Sequence, residues 1–189
     1  MKRRQFMSLL VPLSLFSGLS LPVSHGLAAN KSMNHPSLMI ELESFTIDDV
    51  IVFLQALPLE RLVTAGQWNL SQIFNHAAQS IEFSMMGYPQ HKSEMFRRSI
   101  GPLAFQAFAL WGRMSHDLAA AIPGANKLKA NDDSAALQRL IQALTHFDQF
   151  QGPLQPHFAY GELNKHEYAL AHVLHLNNHL EEVSLVQTA

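Results

Sequence analysis

Residues 164–179 read Asn164-Lys165-His166-Glu167-Tyr168-Ala169-Leu170-Ala171-His172-Val173-Leu174-His175-Leu176-Asn177-Asn178-His179, and this stretch decides the fold class. An asparagine followed three residues later by a glutamate predicts a capping box, in which each side chain satisfies a backbone N–H that a helix start leaves open. Apolar residues then recur at helical spacing, and the helix is predicted to continue to about Val183. At about 100° per residue, positions four apart share a face, so His175 and His179 project from one side.

The same grammar repeats upstream. Asp132-Asp133-Ser134 opens a helix with Leu137, Leu140, Ile141, Leu144 and Phe147 as its inner stripe, and Gly152, Pro153 and Pro156 break the pattern after it. Pro102 opens an apolar segment through Leu110, Met114 and Leu118 that Pro123-Gly124 stops. Tyr88 to Ser99 is polar and reads as a loop. Asn69 caps a helix running through Ile73, Ala77 and Ile81 towards Gly87. Thr46-Ile47-Asp48-Asp49 starts the first helix, with Val50, Phe53, Leu54 and Leu57 on its apolar face and Pro58 at its end. Alternating apolar and polar runs flanked by hairpin turns are missing, so no strand is predicted. The expected architecture is all-α: an antiparallel four-helix bundle with one extra helix in a long connection.

Composition narrows the function classes. With 48% hydrophobic and 15% charged residues, the 189-residue chain has the make-up of one globular domain. There is no cysteine, which excludes disulfides, thiolate metal sites, cysteine nucleophiles and a lipid anchor on cysteine. The formal charge is −2, and nothing points to nucleic acid as a partner. Met1-Lys2-Arg3-Arg4-Gln5-Phe6-Met7, an apolar run from Ser8 to Leu21 and the small residues Gly26, Ala28 and Ala29 follow the order of a secretory signal, with cleavage expected near Ala28 or Ala29. Pro12, Gly18 and Pro22 interrupt the run, which argues against a retained membrane anchor. Three of the 13 basic residues and none of the 15 acids lie in this leader, so the mature chain is more acidic still. The domain plan is therefore a leader over 1–29, a tether over 30–45 and a helical bundle over 46–189, in a protein that is periplasmic or otherwise exported.

Histidine is the residue to follow: the chain has 11. Two imidazoles one turn apart, His175 and His179, suit zinc, nickel, iron or copper. His76, in the middle of the second helix beside Ile73, Ala77 and Ser80, is the best-placed third ligand. Spacing alone leaves a second reading open, in which such a pair is a solvated flank and a lone core histidine is merely hydrogen-bonded. His172 lies on the same stripe and can substitute for either partner.

Two resemblances bear on this. Arg3-Arg4-Gln5-Phe6-Met7 resembles the twin-arginine export signal, with Lys2 where that motif usually has Ser or Thr; the resemblance implies export of an already folded protein, and an ordinary Sec signal is the alternative that paired arginines leave open. The helix carrying His76, with His175-x-x-x-His179 near the C-terminus, resembles the DinB/YfiT-like superfamily of metal-binding four-helix bundles. Residues 66–182 look closer to a DinB-related branch of unknown function, through Trp68-Asn69-Leu70-Ser71-Gln72-Ile73-Phe74-Asn75-His76, His157-Phe158-Ala159-Tyr160-Gly161-Glu162-Leu163 and Glu167-Tyr168. The chain departs from that branch at Phe158, where proline is frequent, at Tyr168, where tryptophan is, and at Asn178, where a second histidine is common. The resemblance implies one divalent ion (zinc, nickel or iron) held by His76, His175 and His179, with a position left for water or substrate. His157 is then expected behind the ligands as a hydrogen-bonding partner, with a fourth ligand or a turn residue as alternatives. Glu82, Glu181 and Glu182 are read as solvated helix-face residues.

No nucleophile elbow, phosphate loop, dinucleotide fingerprint or His-Glu-x-x-His motif occurs. Three functions follow: a metal-dependent hydrolase, isomerase or transferase on a small molecule; a non-catalytic periplasmic metal- or ligand-binding module; and a structural bundle with no metal. Export weighs against the thiol transferases found in the superfamily, because low-molecular-weight thiols are chiefly cytoplasmic. The expected partners are a small-molecule ligand and, through the leader, the twin-arginine export machinery; a homodimer is compatible with these features.

Overall fold

Four helix starts are set by side chains that the sequence makes recognisable. Thr46, Asn69 and Asn164 each form a full capping box, with Asp49, Gln72 and Glu167 respectively, and Asp132 accepts from the Ala135 backbone N–H. These caps open α1 (Ile47–Gln55), α2 (Leu70–Met86), α5 (Asp133–Gln149) and α6 (Lys165–Leu180) in a computed structural model that describes residues 38–40, 45–128 and 130–186. Between α2 and α5 lie α3 (Glu94–Arg98) and α4 (Ile100–Trp111). The long connection thus carries two helices rather than one, because Ser93 caps a short turn inside the segment expected to be a loop. The α4 helix stops at Gly112, which adopts a left-handed φ of 63°, and so Met114 and Leu118 lie beyond it.

The bundle consists of α1, α2, α5 and α6 around one apolar core that includes Leu54, Ile73, Phe74, Leu140, Phe147 and Leu180. Each such side chain contributes about 1.5–3 kcal/mol by leaving water. Helix α6 runs antiparallel to α2, since His172 meets Ser84 while His175 meets His76. The antiparallel expectation does not extend to α2 against α5. Asn131 and Arg139 ascend along Ser71, Asn75 and Glu82, so these two neighbours run parallel, which the long connection allows. Their interface is polar but satisfied: the Arg139 guanidinium donates to both Glu82 carboxylate oxygens and to Asn75 Oδ1.

Two short strands were not expected. β1 (Leu62–Thr64) and β2 (Val183–Leu185) pair antiparallel, with Val63 opposite Ser184. Three residues are too few to show alternation, and β2 takes the place of the last helical turn expected at Val183. The bond from Ala65 N–H to the Glu182 carbonyl prolongs the clasp, as does that from Val186 N–H to the Arg61 carbonyl.

Within the segment read as a tether, residues 38–40 lie on the bundle. The Ile40 N–H donates to Asn177 Oδ1 at 2.9 Å, and Asn177 Nδ2 donates back to the Ile40 carbonyl at 2.8 Å. The leader and most of the tether fall outside the described residues. Asn177→Ala leaves both buried backbone groups of Ile40 unpaired; the expected loss is about 1–3 kcal/mol, read from urea denaturation. An unchanged midpoint would show that the two bonds to Ile40 contribute nothing to stability.

Candidate metal centre

One face of α2 and one of α6 meet along a polar seam. Successive positions of α2, four residues apart, present His76, Ser80 and Ser84; α6, running the other way, presents His179, His175 and His172. Nε2 of His175 lies 3.1 Å from Nε2 of His76 and 3.2 Å from Nε2 of His179. The three histidines named from the sequence are therefore brought together.

A fourth joins them. His116, on the extended chain after α4, offers a ring nitrogen, and the ligand atoms of all four histidines lie within 4.8 Å of one another. Its backbone is anchored on α6: the His116 N–H donates to Asn178 Oδ1 at 3.3 Å, and Arg113 pairs with the Glu181 carboxylate at 2.9 and 3.1 Å. Asn178, noted above as a departure at the double-histidine position, thus supports the segment that carries another histidine. Trp68, just ahead of α2, closes the opposite side, stacked on His179 at 5.6 Å and edge-on to His76 at 4.7 Å.

Burial sets the chemistry of these rings. His179 is fully buried and His76 is 2% exposed. Burial foremost, then the neighbouring imidazoles, pushes His76 down to about 3 and His179 to about 2, and holds His175 well below its ordinary value. His116 is lowered by burial too. All four are neutral at physiological pH, the protonation state that ligates a metal. Nδ1 of His76, Nδ1 of His179 and both nitrogens of His116 have no hydrogen-bond partner among the described residues. Three Nε2 atoms facing one another cannot all be satisfied by the protons of neutral rings, whereas a shared cation accepts every lone pair. The 3.1 and 3.2 Å separations fit one: nitrogens about 2.1 Å from an ion lie roughly 3.0 Å apart at a right angle and roughly 3.4 Å apart in a tetrahedron. The four histidines could hold a metal ion.

The remaining sequence candidates fall elsewhere. His172 stays outside the cluster and meets Ser84 Oγ at 3.3 Å. His157, expected behind the ligands, is a turn residue: its Nδ1 accepts from the backbone N–H groups of Ala159 and Tyr160. Glu82 and Glu181 form ion pairs with Arg139 and Arg113 instead of facing the histidines. His116 escaped the sequence reading because the apolar pattern from Pro102 to Leu118 carries a helix across it, whereas α4 ends at Trp111 and only the packing of a non-helical segment on α6 brings it in.

A cavity of about 360 Å³ opens beside the cluster, walled by His76, His116 and His175 on one side and by His157 and His172 on another. Its roof depends on two glycines. A Cβ on Gly101 would overlap the Ala159 carbonyl oxygen, and one on Gly161, whose φ is 80°, would come within 2.6 Å of the Arg97 carbonyl oxygen. The α3–α4 arm can therefore rest directly on the turn at residues 157–161.

An all-α bundle with four histidines gathered between two helices and a cavity beside them defines the class of this protein. Residues 38–185 match the family described as a protein of unknown function (DUF1569), and the chain belongs to that family. No curated protein and no solved structure matches it.

His157 also makes a pH prediction. Burial foremost, then nearby His172 and His91, lowers it from 6.5 to about 3. The unfolded chain takes up that proton at 6.5, so the stability held by the neutral ring is complete above that pH and is lost as pH falls towards 3. In chelator-treated protein, the loss from this group between pH 7 and pH 5 is about 2 kcal/mol. His157→Asn keeps an acceptor for the turn but does not titrate, so the stability difference between the two pH values should shrink by that amount. Equal differences in both proteins would refute the assignment.

Proposed function

We propose that this chain is an exported, DinB-like metal protein whose single divalent ion, held by His76, His116, His175 and His179, faces a cavity for a small molecule. The observation that carries the reading is the convergence of three Nε2 atoms at 3.1 and 3.2 Å in neutral, buried rings. An all-imidazole set suits zinc, nickel or iron and does not suit magnesium or calcium, which take oxygen ligands. An ion held there supplies Lewis acidity to a polar group entering from the cavity. The chain's own part is to keep the rings neutral, to aim them at one point and to wall the site with apolar side chains. The reaction class this favours is metal-dependent hydrolysis, isomerisation or group transfer on a small molecule.

His116 supports a second reading, a binding module without turnover. Four imidazoles complete a tetrahedral shell, as in structural zinc sites, whereas three leave a position open. His116 is the most exposed of the four and comes from a non-helical segment. Its removal therefore discriminates between the two readings.

Protein purified from the periplasm should contain about one ion per chain by elemental analysis, and chelation should lower its thermal midpoint. His175→Ala should abolish both the ion and the effect of chelation. In the cobalt-substituted protein, azide or thiocyanate should perturb the spectrum of the wild type if the centre keeps an open position, and of His116→Ala alone if His116 closes the shell. A wild type without metal, and with no stability difference from His175→Ala, would leave only the structural reading.

The leader supports export, and the family match from residue 38 onward leaves it outside the conserved domain, as an added export segment would be. A twin-arginine route would let the bundle take up its ion in the cytoplasm. Replacing both Arg3 and Arg4 by lysine should retain the protein in the cytoplasm, visible by fractionation. Normal export of that variant would overturn the route.

A further inference from the structure

The wall of the cavity away from the four-histidine cluster carries two more histidines, and their tautomers follow from their neighbours. Ser84 Oγ donates its only proton to the Ile81 carbonyl at 2.6 Å. It can therefore only accept from His172 Nε2, 3.3 Å away, which leaves Nδ1 of His172 as a bare acceptor. His157 is the reverse. Its Nδ1 accepts from two backbone N–H groups at 3.2 and 3.1 Å, so the proton sits on Nε2 as a donor. Both side chains are more than nine-tenths buried, and both line the cavity. Neither His172 Nδ1 nor His157 Nε2 has a hydrogen-bond partner among the described residues.

The rings are fixed as well as polar. His157 stacks on Tyr160 at 4.2 Å with planes 5° apart, while His172 stacks on Tyr168 at 5.4 Å and meets the edge of Phe147 at 5.0 Å. Burial keeps both uncharged at neutral pH. The rest of the cavity is largely apolar, with Phe96, Ala104, Met114, Ile122, Phe158 and Ala171 among its walls. Two charged residues also line it among the described residues: Asp117, and Lys92, whose Nζ lies 5.4 Å from the centre of the Phe96 ring.

We propose that His157 Nε2–H and His172 Nδ1 form a donor–acceptor pair that selects a small, uncharged ligand with an apolar body and one polar head both giving and accepting a hydrogen bond, as a primary amide does. A neutral pair in an apolar wall rewards such a head, because each ring nitrogen gains a hydrogen-bond partner in a site lined largely by apolar side chains. A carboxylate offers His172 no proton, and an ammonium offers His157 no acceptor. This assignment rests on the proposed use of the cavity as a binding site, and metal content is measured separately from it.

The test uses a matched six-carbon series, hexanamide, hexanoate and hexylammonium, titrated into the full-length mature protein with and without its metal and followed by NMR. Hexanamide should bind at least tenfold more tightly than either charged analogue. His157→Asn keeps the turn acceptor but withdraws the donor from the Nε2 position, and His172→Phe removes the acceptor while keeping the ring; each should cost hexanamide tenfold or more with circular dichroism and metal content unchanged. Amide selectivity in a chain that holds no metal would support this assignment while overturning the metal reading. Tighter binding of hexanoate that disappears in Lys92→Gln, or amide affinity unchanged in both histidine variants, would overturn the assignment whether or not metal is present.

Discussion

Four neutral imidazoles packed against one another, with no carboxylate among them, are the constraint around which the bundle is arranged. Desolvation makes each ring costly to protonate, and for His76, His175 and His179 the neighbouring imidazoles add to that cost. The helices answer geometrically. A four-residue repeat on α6 supplies two rings, the opposing face of α2 supplies a third, and an antiparallel crossing sets His175 against His76. The indole of Trp68 covers one flank, against His76 and His179. A site of this kind is ill suited to an empty bundle and well suited to one that holds a soft or borderline cation.

The polar residues around the cluster divide the work. Asn75, Arg139 and Glu82 tie α2 to α5 and keep α2 from rotating, although none of them approaches the histidines. Asn177 and Asn178, adjacent on α6, face different partners: one clamps the backbone at Ile40, the other the backbone at His116. One turn of one helix thus carries two of the clustered rings and two backbone clamps. A change at either asparagine acts on the cluster through the chain it holds.

Legibility in the sequence followed locality. The caps at Thr46, Asn69, Asp132 and Asn164 are local events between residues three apart, and all four start helices where the sequence places them. His175 and His179 share a face for the same reason, and a resemblance supplied His76 across about a hundred residues. What could not be read was set by contacts between distant segments. His116 depends on a bond to Asn178, the strands depend on each other, and the parallel course of α2 and α5 depends on where a long connection travels. His157 shows the opposite error: its loop motif is plain, but its ring is spent on the turn and faces the cavity instead of backing a ligand.

The β1–β2 clasp ties the chain just ahead of Trp68 to the chain just after His179, and so it guards the histidine-rich end of the α2–α6 seam. A ladder of three residues opens far more readily than a helical core, because local opening costs only the few bonds it breaks. Breathing of this end can therefore proceed while α2, α5 and α6 stay packed around their apolar centre. Fraying of the clasp is thus a local event at the histidine-rich end, separable from the unfolding of the bundle.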